Sequence, residues 1–441
     1  MIEELESRLD SFNLNERKQA LKILCEKVRE GEIDLPEPGK DVNLHCHTFF
    51  SYNSYGYSPS KFAWLARKAG LAVAGVVDFD VLDALEEFHA AAKMLGLKAC
   101  AGLETRVFVP EFADKVINSP GEPGISYHMG VGFPSSQVPA AQEDFLVSLR
   151  VTAQKRNQEL MARVNKHLSP VELDYQRDVL VLTPSCNATE RHMCLAYARK
   201  AESLFADSKA LADFWSKKLG VKIEQSMLPE GRDLLNTIRA KTMKRGGVGY
   251  VQPDKGSFPM MADTNHFILS SGAIPTLTWL DGTSDGEQEI ERLIEVGMST
   301  GAAAINIIPD RNYTPGNQDE KVKNLYHVVE LAEKLHLPVV VGTEMNSPGQ
   351  KFVDDFATDE LSSLVPVFLK GAHIVYAHSV LQRKFRMGYT SAWACNNFKD
   401  VTEKNRFFEQ FGISMQPGRE ELCDFTEDVV PNEILEKLNN E

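Results

Sequence analysis

The chain has 441 residues, 43% of them hydrophobic and 25% charged, with Gly and Pro dispersed along it. That length holds one large α/β barrel with additions or two to three ordinary domains, and the composition excludes a disordered or fibrous protein. A net charge of −14 and a pI near 5.4 repel polyphosphate chains, so non-specific nucleic-acid binding is not expected, while a small phosphorylated molecule is easier to accept.

Taken in chain order, residues 1–40 read as an N-terminal helical arm. Ile2, Leu5, Leu9, Leu14, Leu21, Leu24 and Val28 recur at roughly helical spacing, and Gly31 with the Pro-rich LPEPGK ends the pattern. From Val42 the rhythm changes to a strand ending in His-Cys-His, a helix over KFAWLARKAG, the strand LAVAGVVD, a helix over ALEEFHAAAKMLG and the strand LKACAGLET. Short β-branched runs alternating with Gly-ended helices predict βαβ units, hence a parallel sheet or barrel, whose first part spans 41–140. Residues 141–260 turn to long polar helices such as EDFLVSLRVTAQKRNQELMARVNKHL, a helical insertion. The α/β rhythm returns over 261–355 with the strands AIPTLTWL, AAINIIPD and LPVVVGTE, and 356–441 adds a strand, HIVYAH, and closing helices.

In a strand, residues i and i+2 share a face, so His45 and His47 point one way and Cys46 the other, and one ion can take both imidazoles. The histidines follow the apolar part of the run, at the end where α/β barrels carry their sites. The same reading puts Asp78, Glu104 and Glu344 at the ends of later strands. Carboxylates that converge need a cation or a proton between them.

The motifs HCHTFFSYN (45–53), VDF (77–79), GLE (102–104), HMGVGF (128–133), LTWLD (277–281) and GTEMN (342–346) occur in that order around the insertion. The insertion itself carries an Arg-rich helix at 156–163, then ERHMCLAYA (190–198) and GYVQPD (249–254). Over about residues 42–350 the chain resembles the PHP (polymerase and histidinol phosphatase) superfamily of metal-dependent phosphoesterases, in the branch acting on nucleotide 3′,5′-bisphosphates and oligonucleotide ends. The resemblance implies a distorted (β/α)7 TIM-like barrel, the PHP fold, with a helical insertion domain. It implies a hydrolase that uses metal-activated water. His45 and His47 stand where two histidines hold the first ion, Glu104 where a carboxylate bridges ions, and Glu344 where an aspartate completes the first site. His128 stands at a further ligand position, with a second role as proton donor. Asp78 keeps the aspartate of the second motif, as a ligand or as a residue that orients one. Tyr52, Phe79, Trp279 and Asn346 replace ligands of the other sites, which leaves one divalent ion (Mn, Zn, Fe or Mg) and makes the cleft greasier.

Arg191 and His192 match a motif placed to hold phosphate, and Arg311, just beyond AAINIIPD, is a further cation for developing charge. His378, at the end of HIVYAH, stands at an expected strand end. The alternative to an enzyme is a PHP-like protein that has lost hydrolysis and binds a phosphorylated ligand or a protein partner.

Seven cysteines, an odd number without a CxxC pair, suggest neither disulfides nor a thiolate zinc site and fit a reducing cytoplasm. The acidic start MIEELESRLD lacks the basic and apolar regions of a signal peptide. No apolar run of the ~18 residues that a membrane span needs is expected. The arm and the closing segment could each cover the cleft or join two copies in a homo-oligomer.

Overall fold

The computed structural model describes residues 1–205, 207–253, 256–313 and 318–440. Seven strands, β1 (Val42–Cys46), β2 (Val73–Phe79), β3 (Ala99–Phe108), β4 (Ile125–Val131), β5 (Ile274–Trp279), β6 (Ala304–Ile307) and β7 (Val339–Val341), pair in sequential order. A parallel bridge between Cys46 and Glu344 brings the last edge back to the first, so the sheet is a nearly closed, TIM-like barrel. Its strands are buried on both faces, which is why they read as continuous apolar runs.

The barrel is not parallel throughout. β4 runs antiparallel to both β3 and β5. The segment 109–124 that links β3 to β4 contains a single 3-10 turn, Pro110–Phe112, and no crossover helix, so the chain doubles back as a long hairpin.

The arm is two helices, α1 (Ile2–Arg8) and α2 (Leu14–Arg29), and not one. The break falls before Asn13, whose side chain accepts the backbone N–H of Asn15 and starts α2. Arg17, buried on α2, reaches Glu87 on α4 (Leu85–Leu95), and the arm packs with α4 and α3 (Pro59–Lys68) as part of the barrel wall.

Between β4 and β5 lie α5 (Ala140–Leu168), α6 (Glu190–Leu204), α7 (Ser208–Leu219), α8 (Arg232–Ile238) and α9 (Met261–Ser270). The helices from α5 to α8 share an apolar cluster of their own, built on Val164, Tyr197, Trp215 and Leu234. After β5 come α10 (Ile290–Ser299), α11 (Asp310–Tyr313) and α12 (Gln318–Lys334), and after β7 come α13 (Val365–Phe385), α14 (Ala392–Asn397), α15 (Val401–Ser414) and α16 (Pro431–Asn440).

The expected strand HIVYAH is instead the middle of α13. The run is apolar all round because the helix is enclosed, so its periodicity gives no sign of a helix. α13 crosses the lower end of the barrel, where the parallel strands begin. Gly371 sits so close to the start of β7 that a Cβ there would overlap the carbonyl oxygen of Val339. Ser362–Phe385 is long and apolar enough by composition to cross a membrane, contrary to the expectation above, but two-thirds of that stretch (67%) is buried inside the protein. Each fully buried Ile, Val, Leu or Phe there contributes about 1.5–3 kcal/mol of burial energy.

Candidate metal centre and cationic cavity

Asn43, His45 and His47 alternate along β1 and its continuation, and the barrel turns all three inward. The Nε2 atoms of His45 and His47 lie 3.4 Å apart. Oε2 of Glu104, from mid-β3, lies 3.5 Å from the first and 3.1 Å from the second. All three side chains are buried, and that carboxylate oxygen has no hydrogen-bond partner.

The outer ring nitrogens fix the tautomers. Nδ1 of His45 is 3.2 Å from Oδ1 of Asn306 on β6, an acceptor that suits a proton on Nδ1. Nδ1 of His47 is 3.1 Å from Oγ of Ser51, and that hydroxyl donates to Asp78 at 2.6 Å, so Ser51 accepts from His47. Both Nε2 atoms therefore present lone pairs to each other and to a carboxylate. Three acceptors within 3.1–3.5 Å repel unless a cation or a proton sits among them. Those separations match the edges of a tetrahedron with bonds of about 2.0–2.1 Å to nitrogen and oxygen. The residues present fit a divalent ion with three protein ligands. Burial alone would raise the pKa of Glu104, but His45 and His47 outweigh it and hold the carboxyl down at about 2. Burial likewise opposes charge on His45, and Glu104, then Glu344 and Asn306, raise its pKa.

Glu344 does not join this group. It follows β7 in a left-handed conformation, φ +61°, and so does Met345 at +54°. Its backbone closes the barrel, donating to the carbonyl of His45 at 2.8 Å and accepting from the N–H of His47 at 2.9 Å. The side chain instead receives Nη2 of Arg311 at 2.9 Å and Nε2 of Gln350 at 3.0 Å. The expected set of two imidazoles and two carboxylates is thus a set of three, with the fourth carboxylate held by a guanidinium. The strained turn, which sequence does not reveal, aims the carboxylate at Arg311.

Asp78 is not turned to the group either. In strand register it pairs with Leu103, one residue off Glu104, and faces the loop after β1. Burial raises its pKa against the pull of His47 and of Ser51 and Thr48, which donate to its oxygens. Its effect on the site passes through Ser51 to His47. His128 lies opposite Thr105, while Glu104 lies opposite Met129, so His128 points out of the barrel. There it meets Oδ1 of Asn265 on α9 at 2.5 Å, and burial lowers its pKa to about 4. It stands apart from the group as ligand and as proton donor.

His192 is likewise a local fixture. Its Nδ1 accepts the N–H of Thr189 at 3.0 Å in a capping box at the start of α6, and burial lowers its pKa to about 3. His378, inside α13, bonds the carbonyl of Gly132 and the N–H of Tyr389.

The four positions that the resemblance reads as replaced ligands fall in different surroundings. Phe79 stacks on His47, centroids 4.5 Å apart and planes 18° apart, and packs against one face of that ring. Tyr52 meets His192 edge-on. Trp279 is not in the cleft at all: Thr278 pairs with the inward Asn306, so Trp279 faces outward into the main core. Asn346 does line the cleft.

Beside the three buried ligands, which do not themselves line it, a cavity of about 540 Å³ lies between the barrel and the helical insertion, with their neighbours Ser51, Phe79, Arg311 and Glu344 on its wall. Seven cations line it, Arg106, Arg156, Arg163, Arg191, Arg239, Lys244 and Arg311, against five carboxylates. In a chain of charge −14 this is the local basic surface that an anionic ligand requires. Of the predicted phosphate holders, Arg191 is on its wall, with Nη1 donating to Asn236 at 2.6 Å, and so is Arg311. Arg106 and Arg156 both lie over Phe258, each guanidinium 4.4 Å from the ring centre. Burial, then Arg106 beside it, lowers Arg156 to about 10. Arg239 and Lys244 share Glu190 at 2.9 and 2.8 Å. The sequence reading singled out Arg191, Arg311 and the Arg-rich helix that carries Arg156 and Arg163, and missed Arg106, Arg239, Lys244 and Asn306, although Arg106 stands two residues after Glu104 on the same strand face and Asn306 is a polar break in an apolar strand.

No protein-family model matches the chain, and neither does any curated protein. Among solved structures it is similar to an amidohydrolase from Chromobacterium violaceum, holding sulfate and no metal, at 18% identity over 70% of this chain and 88% of that one, TM-score 0.49. It is also similar to a “putative metal-dependent phosphoesterase” from Bifidobacterium adolescentis ATCC 15703, at 14% identity over 76% of this chain and 98% of that one, TM-score 0.48.

Proposed function

We propose that the chain is a PHP-type, metal-dependent phosphoesterase that hydrolyses a small phosphorylated molecule with one divalent ion on His45, His47 and Glu104. The observation that carries this is the pair of imidazole lone pairs, fixed by Asn306 and by Ser51 with Asp78, converging with an unpartnered carboxylate beside a cation-lined cavity. Bound there, a divalent ion would lower the pKa of water from 15.7 toward ~7 and polarise a phosphoryl oxygen.

The protein's own residues do the rest. Arg311, fixed by Glu344, and Arg191, fixed by Asn236, offer guanidinium N–H groups to the phosphate and to the charge that builds in the transition state. The helical insertion roofs the cavity and limits water. All seven cysteines are free, which supports the cytoplasmic setting.

A second reading, ligand binding without hydrolysis, is favoured by one observation: Glu344 is committed to Arg311 and leaves the ion one protein ligand fewer. Elemental analysis of protein purified without added metal, followed by a phosphatase screen with Mn²⁺, separates the two. The enzyme reading expects about one ion per chain and turnover that Arg311→Ala lowers ten- to a hundredfold. An ion or phosphorylated ligand bound without turnover supports the second reading, and neither ion nor turnover overturns the first.

A further inference from the structure

Asn187 lies in the helical insertion, between α5 and α6, and is 2% exposed on the wall of the cavity. The residue before it, Cys186, takes a left-handed conformation at φ +60°, which is strained for a residue with a side chain and is kept only where the surroundings hold it. Beyond that turn, Nδ2 of Asn187 donates to two main-chain carbonyls of the barrel. One is that of Phe50 at 3.0 Å and the other that of Phe79 at 2.9 Å.

Both carbonyls belong to peptides beside the metal ligands. The Phe50 carbonyl is in the peptide that leads into Ser51, whose hydroxyl accepts from His47. Phe79 packs on one face of the His47 ring. In the same peptide as the Phe79 carbonyl, the N–H of Asp80 donates to the carbonyl of Glu104 at 2.8 Å. One amide thus ties the loop after β1 to the end of β2, the two segments that border His47, and grips a peptide bonded to the main chain of Glu104.

The amide is itself held. Its Oδ1 accepts Nε2 of Gln154 on α5 at 3.2 Å. With two acceptors on one side and a donor on the other, only one orientation of the Asn187 amide satisfies all three bonds. Gln154 also donates to the carbonyl of Ala188 at 3.0 Å and accepts the Ala188 N–H at 3.2 Å and the hydroxyl of Tyr175. Asn157, one turn along α5, donates to the same Ala188 carbonyl at 2.8 Å. A buried network whose members are satisfied is rigid, and both amide hydrogens of Asn187 are spent within it, so its work is to hold and not to bind.

We propose that Asn187 is a positioning residue of the metal centre: it locks the Phe50–Ser51 and Phe79–Asp80 peptides together and so keeps His47 and Glu104 at ligating distance. The insertion is then part of the metal centre as well as the roof of the cavity. This inference rests on the three-ligand reading of that centre.

Titration of the metal-free full chain with Co²⁺ tests it, followed by visible absorption for the site and by urea denaturation for the fold. Asn187→Asp keeps the shape of the side chain but sets a carboxylate oxygen against two carbonyls. It is expected to weaken Co²⁺ binding about tenfold or more and to alter the visible bands. Asn187→Ala removes the clamp without adding charge, should weaken binding about tenfold, and serves if the Asp variant does not unfold cooperatively. Asn157→Ala loosens the same segment but touches neither Phe50 nor Phe79, so it should lower stability and leave the affinity and the bands unchanged. Asn187 variants that lose stability yet keep the parent affinity and bands overturn the proposal, because the residue is then only structural. An effect of Asn157→Ala on Co²⁺ binding as large as that of Asn187→Ala overturns it too. A parent chain that takes up no Co²⁺ overturns the three-ligand reading and this proposal with it, whereas failure in the variants alone leaves that reading standing.

Discussion

At the upper end of the barrel His45 is fully buried, yet Glu104 and Glu344 raise its affinity for a proton and its ring nitrogen faces other acceptors. At the lower end His378 is as deeply buried, but its partners are a backbone carbonyl and an N–H, and burial lowers its pKa to about 4. One residue type at one depth gives a cation-seeking group in the first place and a neutral packing element in the second. What differs is the carboxylate facing it. Function in this barrel is therefore located by uncompensated partners and not by burial or by histidine as such.

The sharpest way to break the contrast is at the ligands. His47→Ala should abolish metal uptake and lower turnover at least about a thousandfold without unfolding the chain, read by elemental analysis and steady-state rates. Retained metal would sink the three-ligand site. At the other end, Gly371→Ala forces a methyl into the Val339 carbonyl and should cost about 3 kcal/mol or prevent folding, read by urea denaturation. A smaller effect is expected from Ser51→Ala. It frees the ring of His47 to change tautomer and should weaken metal binding about ten- to a hundredfold, with little loss of stability. An unchanged affinity would show that the ring orientation is held by Phe79 alone.

The smallest effect is on pH dependence. His128, His192 and His378 have folded pKa values near 4, 3 and 4, below the ordinary ~6.5. Between those values the unfolded chain binds protons that the folded chain refuses, so stability falls as pH drops from about 6.5 toward 4. Each histidine contributes up to about 2 kcal/mol of that loss at pH 5. His45, with its raised pKa, works in the opposite sense. A urea midpoint that does not fall between pH 7 and pH 5 would mean that the packing histidines are already charged.

Much of the upper end was legible in the sequence. His-x-His at a strand end and Glu104 after KACAGL follow from strand parity and βαβ rhythm, and the structure brings the three side chains together, although Glu104 lies in mid-β3 and not at the strand end expected for it. Three things were hidden. The face of His128 depends on the pleat phase of β4, a strand whose reversal has no local signature. The aim of Glu344 depends on two left-handed residues that are not glycine. The helix over HIVYAH is enclosed by the barrel on one side and by α15 on another, which erases the amphipathic stripe that would have marked it.

Glu344 joins the two kinds of information in one residue: its main chain zips the last strand to the first, and its carboxylate seats Arg311 on the cavity wall. Replacing it would therefore register in the melting curve and in the rate at once. Arg311, which shares the interaction but not the seam, is the position at which chemistry can be altered while the architecture stays as it is.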